Sequence, residues 1–372
     1  MADVRIAIDR SRSLEQQPES GHNRWHPDIS PIARVRTGQV VEIETRDATD
    51  CQVAKTTTAA DLANFRPNAA HALTGPVYIE GAQPGDLLAV HIDRVAPQPT
   101  GYTTFRGPHF GFLRDEFPYS YIVHWEIDGT AARSPQLAGV TIPGAPFMGV
   151  MGVAPSHALL AQISAREAQL AARGGAVALP DPLNAVPASE PIASTALRTI
   201  PPRETGGNFD IKQLVAGTTL YLPVYVEGAL FSTGDAHFAQ GDGESCGTAI
   251  EMGATFTGRF ELVSGEALRR NQTDPSFAGA CSYDSVRASD RPYYATTGSS
   301  VRKDGRNESE DLGLAARNAL LNMIDYLSKQ HGYTRDQAYC ICSVAVDLRI
   351  SQIVDVPNFT VSAFLPLDIF AG

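Results

Sequence analysis

Short stretches in which apolar and polar residues alternate recur along the chain, and they predict strands. Alternation of this kind, with many β-branched and aromatic residues, is typical of strands that bury one face. Turn residues separate the stretches, as at Pro84, Gly85 and Asp86, where proline fixes φ and glycine accepts a positive φ. The predicted strands cover residues 39–44, 87–93, 119–126, 218–226, 255–263 and 359–365.

Helical periodicity is confined to fewer segments. Apolar residues recur at helical spacing over 312–330, and Gly332 follows where a left-handed cap belongs. Thr334 and Gln337 have the spacing of a capping box, which predicts a second helix to about residue 343. A shorter helix is predicted at 164–173.

Two segments predict long loops. Residues 174–202 are rich in proline, alanine and serine, and residues 295–310 are polar and contain several glycines. Loops of this length in a compact enzyme often cover a site. The alternative of solvated connectors stays open.

Composition narrows the classes of partner and the cellular location. A net charge of −11 disfavours nucleic acid or an anionic membrane as partner. The N-terminus has no signal-peptide pattern, and no run approaches the roughly 18 apolar residues that span a bilayer. A cytoplasmic location is therefore expected. The five cysteines form no CxxC pair, which disfavours a disulfide framework or a structural zinc knot.

One glycine-rich segment concentrates the residues that do acid–base or metal chemistry. Residues 228–251 read GALFSTGDAHFAQGDGESCGTAIE and contain Asp235, His237, Glu244 and Glu251. On an extended segment, side chains two residues apart point to one face, which would bring Asp235 and His237 together. Imidazole plus carboxylates is the donor set of a hydrolytic zinc site with an open position. This segment therefore predicts a metal or acid–base site.

Two carboxylates of this segment have more than one interpretation. Asp242 repeats the two-residue spacing with Glu244, but Asp-Gly is also common turn chemistry. Glu251 stands in an otherwise apolar run, and burial would raise its pKa and suit it to general acid or base chemistry. A structural glutamate satisfied by backbone amides or an arginine is the alternative for Glu251.

Seven blocks of sequence, in this order and spacing, resemble the acetamidase/formamidase family, whose members hydrolyse small amides to ammonia and a carboxylate. The resemblance runs from about His22 to Phe370. The blocks are HNRWHPDISPIARVRTGQVVEIETRDA (22–48), TGPVYIEGAQPGDLLAVHI (74–92), GPHFGFL (107–113), PFMGVMGVAP (146–155), LRTIPPRETGGNFDIKQL (197–214), LYLPVYVEGALFSTGDAHFAQGDGE (220–244) and DLRISQIVDVPNFTVSAFLP (347–366).

The resemblance implies a mainly β fold of packed sandwich-like and barrel-like subdomains, with a smaller α/β portion at the C-terminal end. It also implies a homo-oligomer. With the composition of the segments, it leads us to expect four parts: a β-rich subdomain (1–155), a helix and loop (156–202), a β segment with the site motifs (203–265) and the α/β portion (266–372).

The resemblance also draws residues outside the glycine-rich segment into the site. In GGNFD, Gly207 would let the backbone approach a ligand, Asn208 would hydrogen-bond the amide, and Asp210 would bind a metal or orient His237. His109 in GPHFG is a candidate for substrate binding. His22 is the alternative to Asp210 as a third metal ligand beside Asp235 and His237.

Covalent routes are weaker alternatives. Cys246 follows Glu244 as in a Glu/Cys amidase, but no lysine lies near it in the sequence. Ser299, Ser300 and Lys303 lack the signature of a Ser-Ser-Lys amidase. No GxSxG elbow, P-loop or placed GxGxxG is present, so no nucleotide or organic cofactor is expected.

The function predicted from the sequence is hydrolysis of formamide or acetamide. A divalent metal, zinc by its donor set, would polarise the carbonyl and activate water, and Glu251 or Glu244 would carry the proton to the leaving ammonia. The alternatives are a different amide, such as a γ-lactam or a longer aliphatic amide, and a β-rich binding module without catalysis.

Overall fold

The structure is a computed structural model, and it describes residues 2–108, 110–279 and 292–370. Strands hold 34% of the residues and helices 19%, which confirms the prediction of a mainly β chain. The strands are β1 (Val4–Ile6), β2 (Gly21–His22), β3 (Arg24–Trp25), β4 (Ala33–Val35), β5 (Val40–Thr45), β6 (Leu73–Ile79), β7 (Leu87–Pro97), β8 (Thr100–Arg106), β9 (Ser120–Ile127), β10 (Ala131–Arg133), β11 (Thr141–Pro143), β12 (Phe147–Gly152), β13 (Leu197–Arg198), β14 (Gly206–Asn208), β15 (Thr218–Pro223), β16 (Phe231–His237), β17 (Glu251–Met252), β18 (Ala254–Val263), β19 (Ser276–Gly279), β20 (Tyr293–Ser299), β21 (Asp347–Gln352) and β22 (Thr360–Pro366). The helices are α1 (His157–Ala172), α2 (Ile192–Thr195), α3 (Glu266–Arg270), α4 (Leu312–His331) and α5 (Arg335–Ala345).

Most of the strands belong to two large sheets. The six-stranded sheet has the order β1-β5-β18-β7-β15-β19. The eleven-stranded sheet has the order β11-β10-β9-β8-β17-β16-β12-β14, and its other three strands join at β16, because β6 pairs with β16 and also with β2 and β4. All six strands predicted from alternation are present, as β5, β7, β9, β15, β18 and β22.

The two large sheets pack against each other through residues of β16 and β18. Along β18 buried and half-buried residues alternate over its first half, as expected for a strand with one covered face. Its Phe256 and Phe260 meet Phe231 of β16, with ring centroids 6.4 Å and 5.0 Å apart. This aromatic contact joins the sheets at one end of β16, the strand whose other end is His237.

The C-terminal helices start and stop where the sequence signals predict. Asp311 caps α4 by accepting from the Leu314 backbone N–H, and Gly332 ends it at φ 75°. Thr334 and Gln337 form the predicted capping box of α5. The smaller α/β portion is thus present, although the division of the chain into four parts stays a prediction.

The prediction of a loop over 295–310 is wrong for its first residues, which belong to β20. β20 pairs with β22 in a three-stranded sheet that α4 covers. Gly298 permits this packing, because a Cβ there would lie 2.2 Å from the Ala315 carbonyl oxygen and from the Ala319 nitrogen. The polar, glycine-containing sequence therefore did not predict this strand, because its formation depends on pairing with a distant segment.

The helix predicted at 164–173 extends further towards the N-terminus. It begins at His157, where Ser156 accepts from the Leu159 backbone N–H as an N-cap. The predicted loop 174–202 contains the short α2 and β13. Within the described parts of the chain, no helix is long and apolar enough to cross a membrane.

We predict that Phe231→Ala lowers the free energy of unfolding by about 3–5 kcal/mol, because it removes a fully buried ring from the contact between the sheets. Phe277→Ala is the matched control, since Phe277 is 46% exposed and surface changes stay within about 0.5 kcal/mol. Denaturant unfolding of both variants measures the difference. Equal stability of the two variants would contradict the packing described.

Candidate active site

His237 is the centre of a cluster of acidic side chains at the end of β16. Its Nε2 lies 3.3 Å from Asp235 Oδ1, 3.3 Å from Glu251 Oε2 and 3.9 Å from Glu244 Oε1. Register explains part of this convergence, because His237 on β16 pairs directly with Glu251 on β17 and paired residues share one face of a sheet. We call Asp210, Asp235, Glu244 and Glu251 around His237 the carboxylate cluster.

Gln240 fixes the orientation of the His237 ring through two hydrogen bonds. Gln240 Nε2 donates to the Asp210 backbone carbonyl at 2.7 Å, so its Oε1 faces His237 Nδ1 at 2.8 Å. Because an amide oxygen only accepts, His237 Nδ1 carries a proton and donates. The remaining nitrogen, Nε2, therefore points at the carboxylates with its lone pair or a second proton. The predicted role of Asp210 in orienting His237 is thus possible through its backbone.

Three members of the carboxylate cluster have left-handed backbone. Asp210, Asp235 and Glu244 have φ of 49°, 54° and 42°. Non-glycine residues rarely adopt the left-handed region. They remain in it where contacts with the surrounding structure hold the backbone there, often at functional sites. Asp235 thus stands within β16 as an extended segment requires, but its positive φ interrupts the regular alternation of faces at that residue. Its carboxylate still lies beside His237.

Two overlapping sets of side chains could hold a metal ion. Asp210, His237 and Glu244 form one set, and Asp235, His237 and Glu251 form the other; the ligand atoms of each set lie within 4.8 Å of one another. Asp210 Oδ1 and Glu251 Oε2 are buried and have no hydrogen-bond partner among the described residues. Unpartnered buried oxygens beside an imidazole fit a divalent cation, which would complete their coordination.

The electrostatics of the carboxylate cluster show why it needs a compensating charge. Burial raises the pKa of Glu244 and of Glu251 to about 8, with Asp235 adding to both shifts. Burial also raises the pKa of Asp210 well above its usual range. Burial opposes ionisation of Asp235 too, but His71 and His237 outweigh it and lower its pKa. Desolvation works against the charged form of His237, yet Glu251 and Asp235 raise its pKa well above the usual value. Protons or a cation must neutralise part of the negative charge.

The structure places the other predicted site residues differently. His22 lies apart from the carboxylate cluster: its Nε2 is 2.7 Å from Ser232 Oγ, and burial lowers its pKa to about 4. The prediction of His22 as a metal ligand is therefore not supported by its position. His109 lies outside the described residues.

The GGNFD loop is divided between two environments. Asn208 pairs with Val150, whose side chain belongs to an apolar cluster with Trp25, and Asn208 Oδ1 is buried without a partner. Gly207 has φ of 106°, which only glycine adopts readily. Asp210 alone among the three reaches the carboxylate cluster.

Sequence reasoning missed three residues of the site. His71 Nε2 lies 3.9 Å from Asp235 Oδ2, and Gln240 holds His237 as described. Gly149 faces the carboxylate cluster, because a Cβ there would lie 2.6 Å from Asp210 Oδ1 and 2.9 Å from His237 Cε1. The spacing of Gln240 from His237 was a usable signal. His71, from the segment that precedes β6, and Gly149, from β12, are distant in the sequence and gave no signal.

The alternative chemical groups do not assemble into a site. Cys246 is fully buried, its sulfur 3.6 Å from the Thr248 carbonyl oxygen. Ser300 hydrogen-bonds the Asp311 carbonyl at 3.0 Å, and Lys303 is 74% exposed. Asp242 is a turn residue 3.7 Å from Lys212 Nζ, which supports the turn interpretation.

Comparison with known proteins gives consistent matches. A sequence model described as the Acetamidase/Formamidase family matches residues 7–372, which include the whole carboxylate cluster. The acetamidase of Mycolicibacterium smegmatis is 38% identical over 368 residues, 92% of this chain and 89% of that protein. The formamidase of Methylophilus methylotrophus is 34% identical over 389 residues, 98% of this chain and 93% of that protein. The structure of a gamma lactamase from Delftia acidovorans has a TM-score of 0.93 and 33% identity, over 99% of this chain and 94% of that one.

We predict that Gly149→Ala destabilises the protein by about 1–3 kcal/mol, because the added methyl group overpacks the carboxylate cluster. The clash includes the Asp235 backbone oxygen at 2.9 Å, which a side-chain rotation cannot relieve. Gly313→Ala is the control, since its Cβ would come no nearer than 3.4 Å to Asp311 Oδ1. Unfolding free energies measure both, and wild-type stability of Gly149→Ala would contradict the close approach.

Proposed function

The chain belongs to the acetamidase/formamidase family, and on this premise we propose that it hydrolyses a small linear amide, formamide or acetamide, to a carboxylate and ammonia. The observation that supports the proposal is the convergence of the carboxylate cluster on His237 Nε2 inside the family fold. An inactive binding module would have no need for this buried and strained arrangement.

A divalent cation, zinc by the character of the donors, is part of the proposal. Asp210, His237 and Glu244 would hold it, since Asp210 Oδ1 lacks a partner and His237 presents Nε2. A bound cation polarises the amide carbonyl and favours ionisation of a water molecule. It would also displace the second proton from His237, because an imidazole binds metal only in its neutral form.

Glu251 is the proton carrier in this scheme. Its Oε1 accepts the Ala249 backbone N–H at 2.9 Å, and its Oε2 is left without a partner on the side of His237. Burial raises its pKa, which favours the protonated form that this role requires. Glu251 Oε2 would give this proton to the amide nitrogen as the C–N bond breaks, so that ammonia leaves as a neutral molecule.

Two further expectations accompany the function. A homo-oligomer, implied by the family resemblance, and a cytoplasmic location, inferred from the sequence, stay predictions.

We predict that the purified protein releases ammonia from formamide and acetamide and that removal of metal by a chelator abolishes this release. Adding zinc back should restore it, because Asp210, His237 and Glu244 regain their common ligand. The measurement is ammonia release alongside metal content by mass spectrometry, with a γ-lactam and a longer aliphatic amide in the same panel. Full activity in metal-free protein would contradict the proposed role of the cation. Turnover of the lactam alone would show that the substrate is a cyclic amide and not a linear one.

We predict that Glu251→Gln lowers kcat by roughly 10²–10⁴-fold while the protein keeps its metal, because a glutamine side chain cannot carry the proton. Glu261→Gln is the control, since that strand glutamate is 61% exposed. Asp210→Asn should instead lose the metal. If Glu251→Gln loses metal and Asp210→Asn keeps it, the two roles are reversed.

A further inference from the structure

Arg106 at the end of β8 is a guanidinium that the described residues leave without a hydrogen bond or ion pair. Its guanidinium carbon lies 3.7 Å from the ring centroid of Phe65 and 5.1 Å from that of Phe110. Its Nε is buried and has no hydrogen-bond partner. The two rings thus contact the guanidinium, and contacts of this kind leave its N–H groups available for hydrogen bonds.

Strand register brings Arg106 to the same face as the carboxylate cluster. His237 of β16 pairs with Glu251 of β17, which pairs with Tyr102 of β8. Paired residues share a face, and residues two or four apart on a strand do so as well. Arg106 stands four residues beyond Tyr102 on β8, so its side chain leaves the sheet on the side of Glu251.

Two contacts link the surroundings of Arg106 to those of Glu251. The Glu251 carboxylate turns back towards Ala249, whose N–H it accepts, and thus in the direction in which β8 runs to Arg106. The Phe110 ring packs on the Gly247 backbone, where a Cβ would meet it at 2.6 Å. Burial lowers the pKa of Arg106, while Tyr102 and Glu251 oppose that shift.

The free edge of Arg106 has a specific chemical preference. The buried Nε–H without a partner costs free energy, and a ligand that accepts this hydrogen bond would offset the cost. A guanidinium fork matches the two oxygens of a carboxylate, which can accept two parallel N–H bonds from its edge. The positive charge of Arg106 also offsets the repulsion that an anionic ligand would meet from the carboxylate cluster.

We propose that Arg106 is a specificity-determining residue, which binds the carboxylate of a substrate that is the monoamide of a short dicarboxylic acid. The amide end of such a molecule, malonamate or succinamate, would lie at His237 and Glu251, and its carboxylate end at Arg106. This inference rests on the proposed function and narrows its substrate class. Formamide and acetamide would then be minimal substrates that use only the amide end of the site.

The test compares each anionic amide with a neutral amide of the same shape. Malonamate is matched by isovaleramide and succinamate by 4-methylpentanamide, in which an isopropyl group replaces the carboxylate. In the wild type we expect kcat/KM for one anionic amide to exceed that of its neutral match by about tenfold to 10²-fold, the range of a charged hydrogen-bonded pair. Acetamide turnover is measured in the same preparation.

Variants assign the preference to the guanidinium. Arg106→Met should remove the preference for the anionic amide, and Arg106→Lys, which keeps the charge without the fork, should retain part of it. Arg133→Met is the control, because Arg133 is 56% exposed and pairs with Asp128 at the surface. It should leave the ratio of the two kcat/KM values unchanged.

The outcomes separate this inference from the proposed function. Turnover of acetamide with no preference for either anionic amide in the wild type overturns the inference and leaves the function standing. A preference that persists in Arg106→Met overturns the assignment to Arg106. Failure to hydrolyse every amide in the panel overturns both.

Discussion

The structure depends most on the convergence of four buried or half-buried carboxylates on one imidazole nitrogen, His237 Nε2. Desolvation makes ionised carboxylates costly, and several of them beside one another repel. Three of the four take left-handed backbone, which adds strain. An arrangement of this kind persists only if the surrounding fold holds it and a cation or protons neutralise it. Both conditions are typical of a catalytic site and unusual for a structural one.

The fold supplies the rigidity that the carboxylate cluster requires. β16 lies between β12 and β17 inside the eleven-stranded sheet, and all of its residues are buried. At one end Phe231 packs on the six-stranded sheet, and at the other end Gln240 ties His237 to the GGNFD loop. The eleven-stranded sheet thus positions His237 and Glu251, and packing on the six-stranded sheet holds the other end of β16. A ring orientation set by packing and hydrogen bonds is pre-organised before substrate arrives.

The sequence predicted those features whose causes are local. Strand alternation, the capping box at Thr334 and the cap at Gly332 depend on neighbouring residues, and they are found as predicted. The segment 228–251 supplied Asp235, His237, Glu244 and Glu251 because glycines and acids stand together in it. Features that depend on distant pairing were missed. Gly149 enters the site through β12, which pairs with β16, and His71 enters from the segment that precedes β6. Residues 295–299 form a strand only against β22. His22 was drawn in by the family resemblance, but its position beside Ser232 is set by the pairing of β2 with β6.

Anomalous X-ray diffraction from crystals of the zinc-loaded protein tests the central claim most directly, because it locates the ion without reference to activity. We predict one strong zinc peak at bonding distance from His237 Nε2, with a carboxylate oxygen of Asp210 and one of Glu244 also bound to the ion at about 2.0–2.2 Å. A peak elsewhere in the molecule, or none at His237 in crystals of active protein, would contradict the account.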